Sequence, residues 1–170
     1  GLSDDQDEPY KWRFPNVTLD PKGYLLVFAS GKNRKPDVNH WETAVFAQDT
    51  WRYFIGSQNP PASWTRIEFD ASSWLSGPGG IGFGDKDDGT EIVPSISVFM
   101  LKSFEIPDVS AIKSCVLSMD YDDGFVAYLN GAEIARANID GTFPPYNKLT
   151  TTDHEAQMYQ GGIPENFLID

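Results

Sequence analysis

One cysteine, Cys115, stands in the 170-residue chain, which excludes an intrachain disulfide and leaves the fold to a hydrophobic core. Set in an apolar alternation, it reads as an inert core thiol. Cations are scarce as well: 13 Lys and Arg face 25 Asp and Glu, a net charge of −12. A phosphate backbone needs a cationic footprint that this balance does not supply, so nucleic acid is excluded as an expected partner, whereas divalent cations and neutral ligands suit it. No apolar run approaches the ~18 residues of a membrane span, so no membrane insertion is expected. No basic-then-apolar leader precedes Gly1, and any export signal is expected elsewhere. Only two histidines are present, His40 and His154. Asp153-His154-Glu155 invites comparison with a catalytic triad, but neighbours along a strand point to opposite sides and no Gly-x-Ser-x-Gly nucleophile accompanies it. A loop-stabilising hydrogen bond is the expectation for His154. No stretch carries three turns of helical periodicity, which leaves an all-β chain.

What the chain has in quantity is aromatic residues, 14 % of the total with five Trp and seven Tyr. Most are expected to fill a sandwich core, Trp51, Trp64 and Trp74 among them, with Tyr121, Tyr128, Tyr146 and Tyr159 nearer the surface. The firmest local prediction is a hairpin over Tyr121 to Arg136. Asn130-Gly131 most readily takes the two positive φ values of a type I′ turn. A regular ladder from that turn pairs Leu129 with Ala132, Tyr128 with Glu133, Ala127 with Ile134 and Phe125 with Arg136. One mostly apolar face then carries Phe125, Ala127, Leu129, Ala132 and Ile134, and the other Val126, Tyr128, Glu133 and Ala135. Two usable faces imply a sandwich.

In chain order, residues 1–9 are polar and acidic, Lys11 to Phe14 and Asn16 to Leu19 alternate, and Asp20-Pro21-Lys22-Gly23 suits a type I turn. Tyr24 to Ala29 reads as a strand buried on both faces. Ser30 to Asp37 is basic and turn-rich, a domain boundary or an ordinary exposed loop. Trp41 to Phe46, Trp51 to Ile55 and Trp64 to Phe69 read as short strands. Ser76 to Gly84 places glycines around Ile81 and Phe83 as if the backbone passes close to something. Val98 to Ile106 and Ala111 to Tyr121 read as long strands, the latter with Cys115, Leu117, Met119 and Tyr121 on one face. Asn138 to Gly162 is a long excursion of the kind that carries function, and Asn166 to Asp170 opens a last strand.

Two acidic clusters and the aromatics are the candidate chemistry. Asp85, Asp87, Asp88 and Glu91, interrupted by Gly89-Thr90, offer hard oxygen ligands at alternating positions, a calcium site or else a solvated acidic loop; they do not match the EF-hand pattern. Asp120, Asp122 and Asp123 gather at the mouth of the hairpin, where paired carboxylates serve glycosidase acid–base work, ligand contact or simple turn formation. Exposed Trp or Tyr beside carboxylates, amides and Arg would make a sugar platform. The ligand-facing candidates are therefore Tyr121, Asp122, Asp123, Tyr128, Arg136 and His154.

Gly1-Leu2-Ser3-Asp4-Asp5, Lys11-Trp12-Arg13-Phe14-Pro15 and Pro21 to Lys32 resemble the second half of a lamin-tail-type domain, an immunoglobulin-like sandwich, over residues 1–35. From Trp51-Arg52-Tyr53 through Trp64, Phe69-Asp70, Trp74, Gly80 to Asp85 and Asp122-Asp123-Gly124 to Leu129-Asn130-Gly131, residues 36–170 are similar to galactose-binding-like jelly rolls of large secreted bacterial proteins. The resemblance implies a β-sandwich of jelly-roll type joined to N-terminal lamin-tail-type strands. It also implies further strands before Gly1 and after Asp170, so that the chain is expected to be a segment of a longer protein. In that family Asp-Asp-Gly is a structural signature at the opening of a strand, which argues against catalysis by Asp122 and Asp123. The implied function is a noncatalytic carbohydrate-binding or adhesion module of an extracellular or cell-surface protein, with structural Ca²⁺ as its candidate cofactor. The competing class is a spacer or self-assembling module whose partners are neighbouring domains or copies of itself.

Overall fold

The computed structural model describes Asp7, residues 41–84 and residues 88–169. The expectations for residues 1–6 and 8–40, including the lamin-tail-like strands, the basic 30–37 segment and His40, lie outside the described residues, as do Asp85 and Asp87. The chain divides into two compact units, Gly1–Glu42 and Thr43–Asp170, and every strand among the described residues belongs to the second.

That unit is all-β and sandwich-like. Nine strands run in order among its described residues: β1 Thr50–Ile55, β2 Leu75–Pro78, β3 Ile81–Gly82, β4 Thr90–Glu91, β5 Val98–Leu101, β6 Cys115–Met119, β7 Phe125–Leu129, β8 Ala132–Ala137 and β9 Glu165–Ile169. Two single 3₁₀ turns, Val109–Ala111 and Met158–Gln160, are the helical segments among the described residues. β1 lies between β2 and β5, antiparallel to both. β3 and β4 form a short parallel pair, and β6 with β9 and β7 with β8 form antiparallel pairs.

The hairpin β7–β8 turns at Asn130-Gly131, with φ of 50° and 89°, as the dipeptide demands. Its register departs from the regular ladder one step further on. Leu129 pairs with Ala132 and Tyr128 with Glu133, but Ala127 pairs with Ala135, Val126 with Arg136 and Phe125 with Ala137. Ile134 is left over as a bulge, so the expected pairs Ala127 with Ile134 and Phe125 with Arg136 do not form. The extra residue moves Ala135 to the Phe125 face and Arg136 to the Tyr128 face. There Arg136 meets Glu133 in a two-pronged pair, Nε to Oε1 at 2.6 Å and Nη2 to Oε2 at 2.7 Å. That hydrogen bonding to Arg136 holds the Glu133 carboxyl below the usual carboxylate range. Arg136 Nη1 also donates to the carbonyls of Ile139 and Gly141, fastening the start of the next loop to the hairpin.

Both faces of β7 are used. On one side Phe125 meets the Phe167 ring of β9 edge-on at 5.1 Å. On the other, Tyr128 meets Trp64 edge-on at 5.9 Å and stacks on Phe143 at 5.3 Å. Trp64 continues to Phe99 of β5 and to Trp74, and Trp74 to Phe54 of β1 and to Phe69. The hairpin is thus the middle of an aromatic sandwich, as its two usable faces implied. Among the described residues the buried apolar side chains are Tyr53, Ala71 and Trp74, while Trp51 and Trp64 are half-buried.

Several expected strands are shorter or absent. Trp41 to Phe46 does not pair, and Trp64 to Phe69 is a run of turns: Trp64, Arg66 and Phe69 each donate their N–H to the carbonyl three residues back. Pro60-Pro61 starts that run, since prolines without N–H groups cannot serve a ladder, and the turns swing Trp64 inward. β5 stops at Leu101, before Pro107 and a 3₁₀ turn capped by Asp108. β6 begins only at Cys115, with Cys115, Leu117 and Met119 half-buried and Val116 and Ser118 exposed, the alternation expected of it.

Several glycines of the 76–84 stretch, Gly77, Gly79 and Gly82, lie against other groups, whereas Gly84 faces open space. A Cβ on Gly79 would overlap the Ala47 carbonyl oxygen, and one on Gly82 would stand 2.8 Å from Asp88 Oδ1. Gly79 also donates its N–H to the Asp49 carbonyl at 2.9 Å.

Candidate functional site

The segment between β6 and β7, Asp120 to Gly124, is too acidic and too glycine-permitted to continue a strand, and the chain reverses there. Its carboxylates turn toward the long excursion between β8 and β9. Asp120 follows β6 directly and accepts the N–H groups of Gln157 at 2.8 Å and Met158 at 3.0 Å. Those donors open the 3₁₀ turn Met158–Gln160, where N–H groups lack partners within the turn itself. Asp123 Oδ1 accepts the His154 N–H at 2.8 Å.

Asn138, the first residue after β8, closes the other end of the excursion. It has φ of 55°, a left-handed conformation that asparagine tolerates better than most residues. Its Nδ2 donates to the carbonyl of Asp123 at 2.8 Å and to that of Thr152. Its Oδ1 accepts from the hydroxyls of Thr151 and Thr152 at 2.6 and 2.7 Å and from the Thr152 N–H at 3.2 Å. One side chain therefore joins the hairpin mouth, the hairpin exit and the 151–152 turn.

His154 sits at the centre. Its ring lies 4.1 Å from the Tyr121 ring and within 10° of parallel. Nδ1 is 3.0 Å from the Tyr121 carbonyl oxygen, and Nε2 is 3.2 Å from Glu165 Oε1. The Tyr121 hydroxyl donates to the other Glu165 oxygen at 3.1 Å. Burial first, and then the Glu165 carboxylate, push the Tyr121 phenol above its ordinary value. Beside this knot lies an open cleft of about 560 Å³ lined by His154 to Gln157 and Gln160 to Gly162.

Of the expected ligand-facing residues, Tyr121, Asp123 and His154 are brought together, with Asp122 exposed next to them. Tyr128 and Arg136 are not part of this group; the first packs between Trp64 and Phe143, and the second is engaged by Glu133 and two loop carbonyls. The ring nitrogens of His154 address Tyr121 and Glu165, not the adjacent Asp153 or Glu155, so the sequence triplet is not a spatial one. Glu165 and Asn138 escaped the sequence reading. Glu165 is 44 residues from Tyr121, and nothing local announces that β9 returns beside β6.

In the other acidic cluster, Asp88 lays its carboxylate across the backbone of Gly82, and Glu91 is exposed at the end of β4. Among the described residues no group of three or more His, Cys, Asp or Glu side chains is gathered to hold a metal ion. Among them too, no helix is long and apolar enough to cross a membrane.

Compared with protein-family models, with curated proteins and with solved structures, the chain matches none.

Proposed function

We propose that the chain is a noncatalytic binding module of a secreted or cell-surface bacterial protein, that its recognition surface is the excursion between β8 and β9, and that its ligand is carbohydrate. The observation that carries this reading is the use made of the acids. Asp120 and Asp123, the carboxylates best placed for acid–base work, accept backbone N–H groups of the 154–158 segment. They shape a loop in place of attacking a substrate. The surface so shaped offers what sugars need, amides and a carboxylate on Gln157, Gln160 and Glu155 and, next to them, the exposed Tyr159 ring, 44 % accessible. Pyranose C–H faces stack on such rings while hydroxyls address the amides.

A glycan array followed by titration with the captured polysaccharide tests it. Tyr159→Ala is expected to weaken binding about tenfold, the loss of one stacking contact, with the melting temperature unchanged. Absence of binding to any sugar overturns the reading. The proposal extends to a structural calcium ion on the loop of Asp85, Asp87, Asp88 and Glu91. Because an ion bound only by the folded chain raises stability by mass action, excess EDTA is expected to lower the melting temperature, and an unchanged transition removes calcium.

One observation favours the second reading, self-assembly. The β6–β9 pair is two-stranded, so each strand has an outer edge without a strand partner among the described residues. The cross-strand pair Val116 and Leu168 faces outward, with Leu168 64 % exposed. Open edges of this kind support strand addition between copies. Ordered association in sedimentation runs, together with an empty glycan array, would favour it.

A further inference from the structure

We infer that Phe143 is a second sugar-stacking site, a ring presented to solvent on the hairpin face opposite the Tyr121–His154 knot. Its backbone is the first observation. Phe143 has φ of 50°, a left-handed conformation in which a bulky side chain is an outlier. It also precedes Pro144, and a proline ring drives the residue before it toward extended backbone. Two steric preferences are broken at one residue. The loop is held in this shape from both ends. Arg136 Nη1 donates to the carbonyls of Ile139 at 2.9 Å and Gly141 at 3.0 Å. On the far side, Tyr146 gives its N–H to Asn59 Oδ1 at 2.8 Å, and its carbonyl accepts the Ser97 hydroxyl at 2.7 Å. Strain kept in place by over-determined surroundings gathers at sites that use it.

The side chain points to that use. Its ring lies 5.3 Å from the Tyr128 ring and within 4° of parallel, which fixes its plane, yet the residue stays 55 % exposed. Cover for Tyr128 alone does not require this, since an apolar side chain on ordinary extended backbone covers a ring without the steric cost. Directly across the hairpin from Tyr128 stands Glu133, exposed and held by Arg136 in the two-pronged pair. An apolar plate next to a fixed carboxylate and guanidinium matches a pyranose, whose C–H face stacks while its hydroxyls address the charged pair. The plate is separate from the cleft. Side chains alternate along β7, so Tyr128 and Phe143 lie opposite Phe125, which meets Tyr121, on which His154 stacks. The choice of a sugar as occupant rests on the function proposed above; the strained presentation of the ring does not.

The test uses the full chain labelled with ¹⁵N, titrated in turn with soluble β-linked oligosaccharides of glucose, xylose, galactose and N-acetylglucosamine. The sugar that binds is expected to shift the amides of Tyr128, Glu133 and Phe143 together. Phe143→Asn, whose side chain tolerates left-handed backbone, is expected to weaken binding at those amides about tenfold, the loss of one stacking contact. It is expected to melt within about 5 °C of the parent, because relief of strain offsets the packing lost. Phe143→Tyr restores a ring and is expected to bind as the parent does. Undiminished binding by Phe143→Asn overturns the inference. So does a larger fall in its melting temperature or a failure to fold, either of which would make the ring a structural cover for Tyr128. A sugar that shifts only residues 154–162 ends the inference and leaves the cleft reading standing, whereas a chain that answers to none of the sugars ends both.

Discussion

Gly79→Ala is expected to be among the most damaging single substitutions in the second unit, lowering stability by about 3 kcal/mol, the upper range for overpacking a closed site. The added methyl would run into the carbonyl oxygen of Ala47 and lie 3.2 Å from the Trp51 indole nitrogen. Backbone cannot step aside as a flexible side chain would. The same residue donates its N–H to the Asp49 carbonyl, so any shift that relieves the clash stretches a hydrogen bond and disturbs the end of β2 where it meets β1. Urea unfolding followed by tryptophan fluorescence measures the loss. A midpoint within experimental error of the parent would mean that the 46–49 turn does not sit against Gly79.

Asn138→Ala is expected to cost about 2 to 3 kcal/mol, from several hydrogen bonds lost at once and a left-handed backbone left to an alanine. The carbonyls of Asp123 and Thr152 would lose their donor, and Thr151 and Thr152 their shared acceptor. Two companions separate the causes. Asn138→Gly relieves the φ of 55° but keeps the hydrogen-bond loss, so it should recover only part of the stability. Asn138→Asp keeps the acceptors but removes both donated bonds and adds a charge near Asp123, and is expected to fall close to alanine. Thermal melts rank the three, and susceptibility of the 151–162 segment to limited proteolysis should follow the same order. Equal melting of all three and the parent would show that this side chain fastens nothing.

How much of the fold was legible beforehand differs by residue. Asn130-Gly131 announced its turn because the dipeptide and its φ values are linked by sterics alone. β6 followed from alternation, β1 and β9 from short strand-like runs, and the close passage of the backbone at Gly77, Gly79 and Gly82 from the glycines of that stretch. Trp64 to Phe69 was misleading, since its aromatic content resembles a strand while Pro60-Pro61 commits the chain to turns. The site was harder. Asp120, Asp122 and Asp123 were visible as a cluster, yet what they do depends on where residues 154–158 return, and that is set by β9 pairing with β6 across more than forty residues. Asn138 looked like the start of a polar loop, and only its position between two strand ends makes it a hub.

The surplus residue in β8 has a meaning beyond its local geometry. A strand assigns side chains to its two sides by parity, and Ile134 changes the parity partway along. Before it, the count runs from the turn; after it, the count is inverted, and a basic residue three places from an acidic one becomes its neighbour on the same surface. Loss of one residue there would leave the turn intact and exchange the two inventories, sending Arg136 toward the Phe125–Phe167 layer and stripping the 139–141 carbonyls of their donor. The length of that strand, counted to the single residue, is therefore under tighter constraint than the identity of most residues in it.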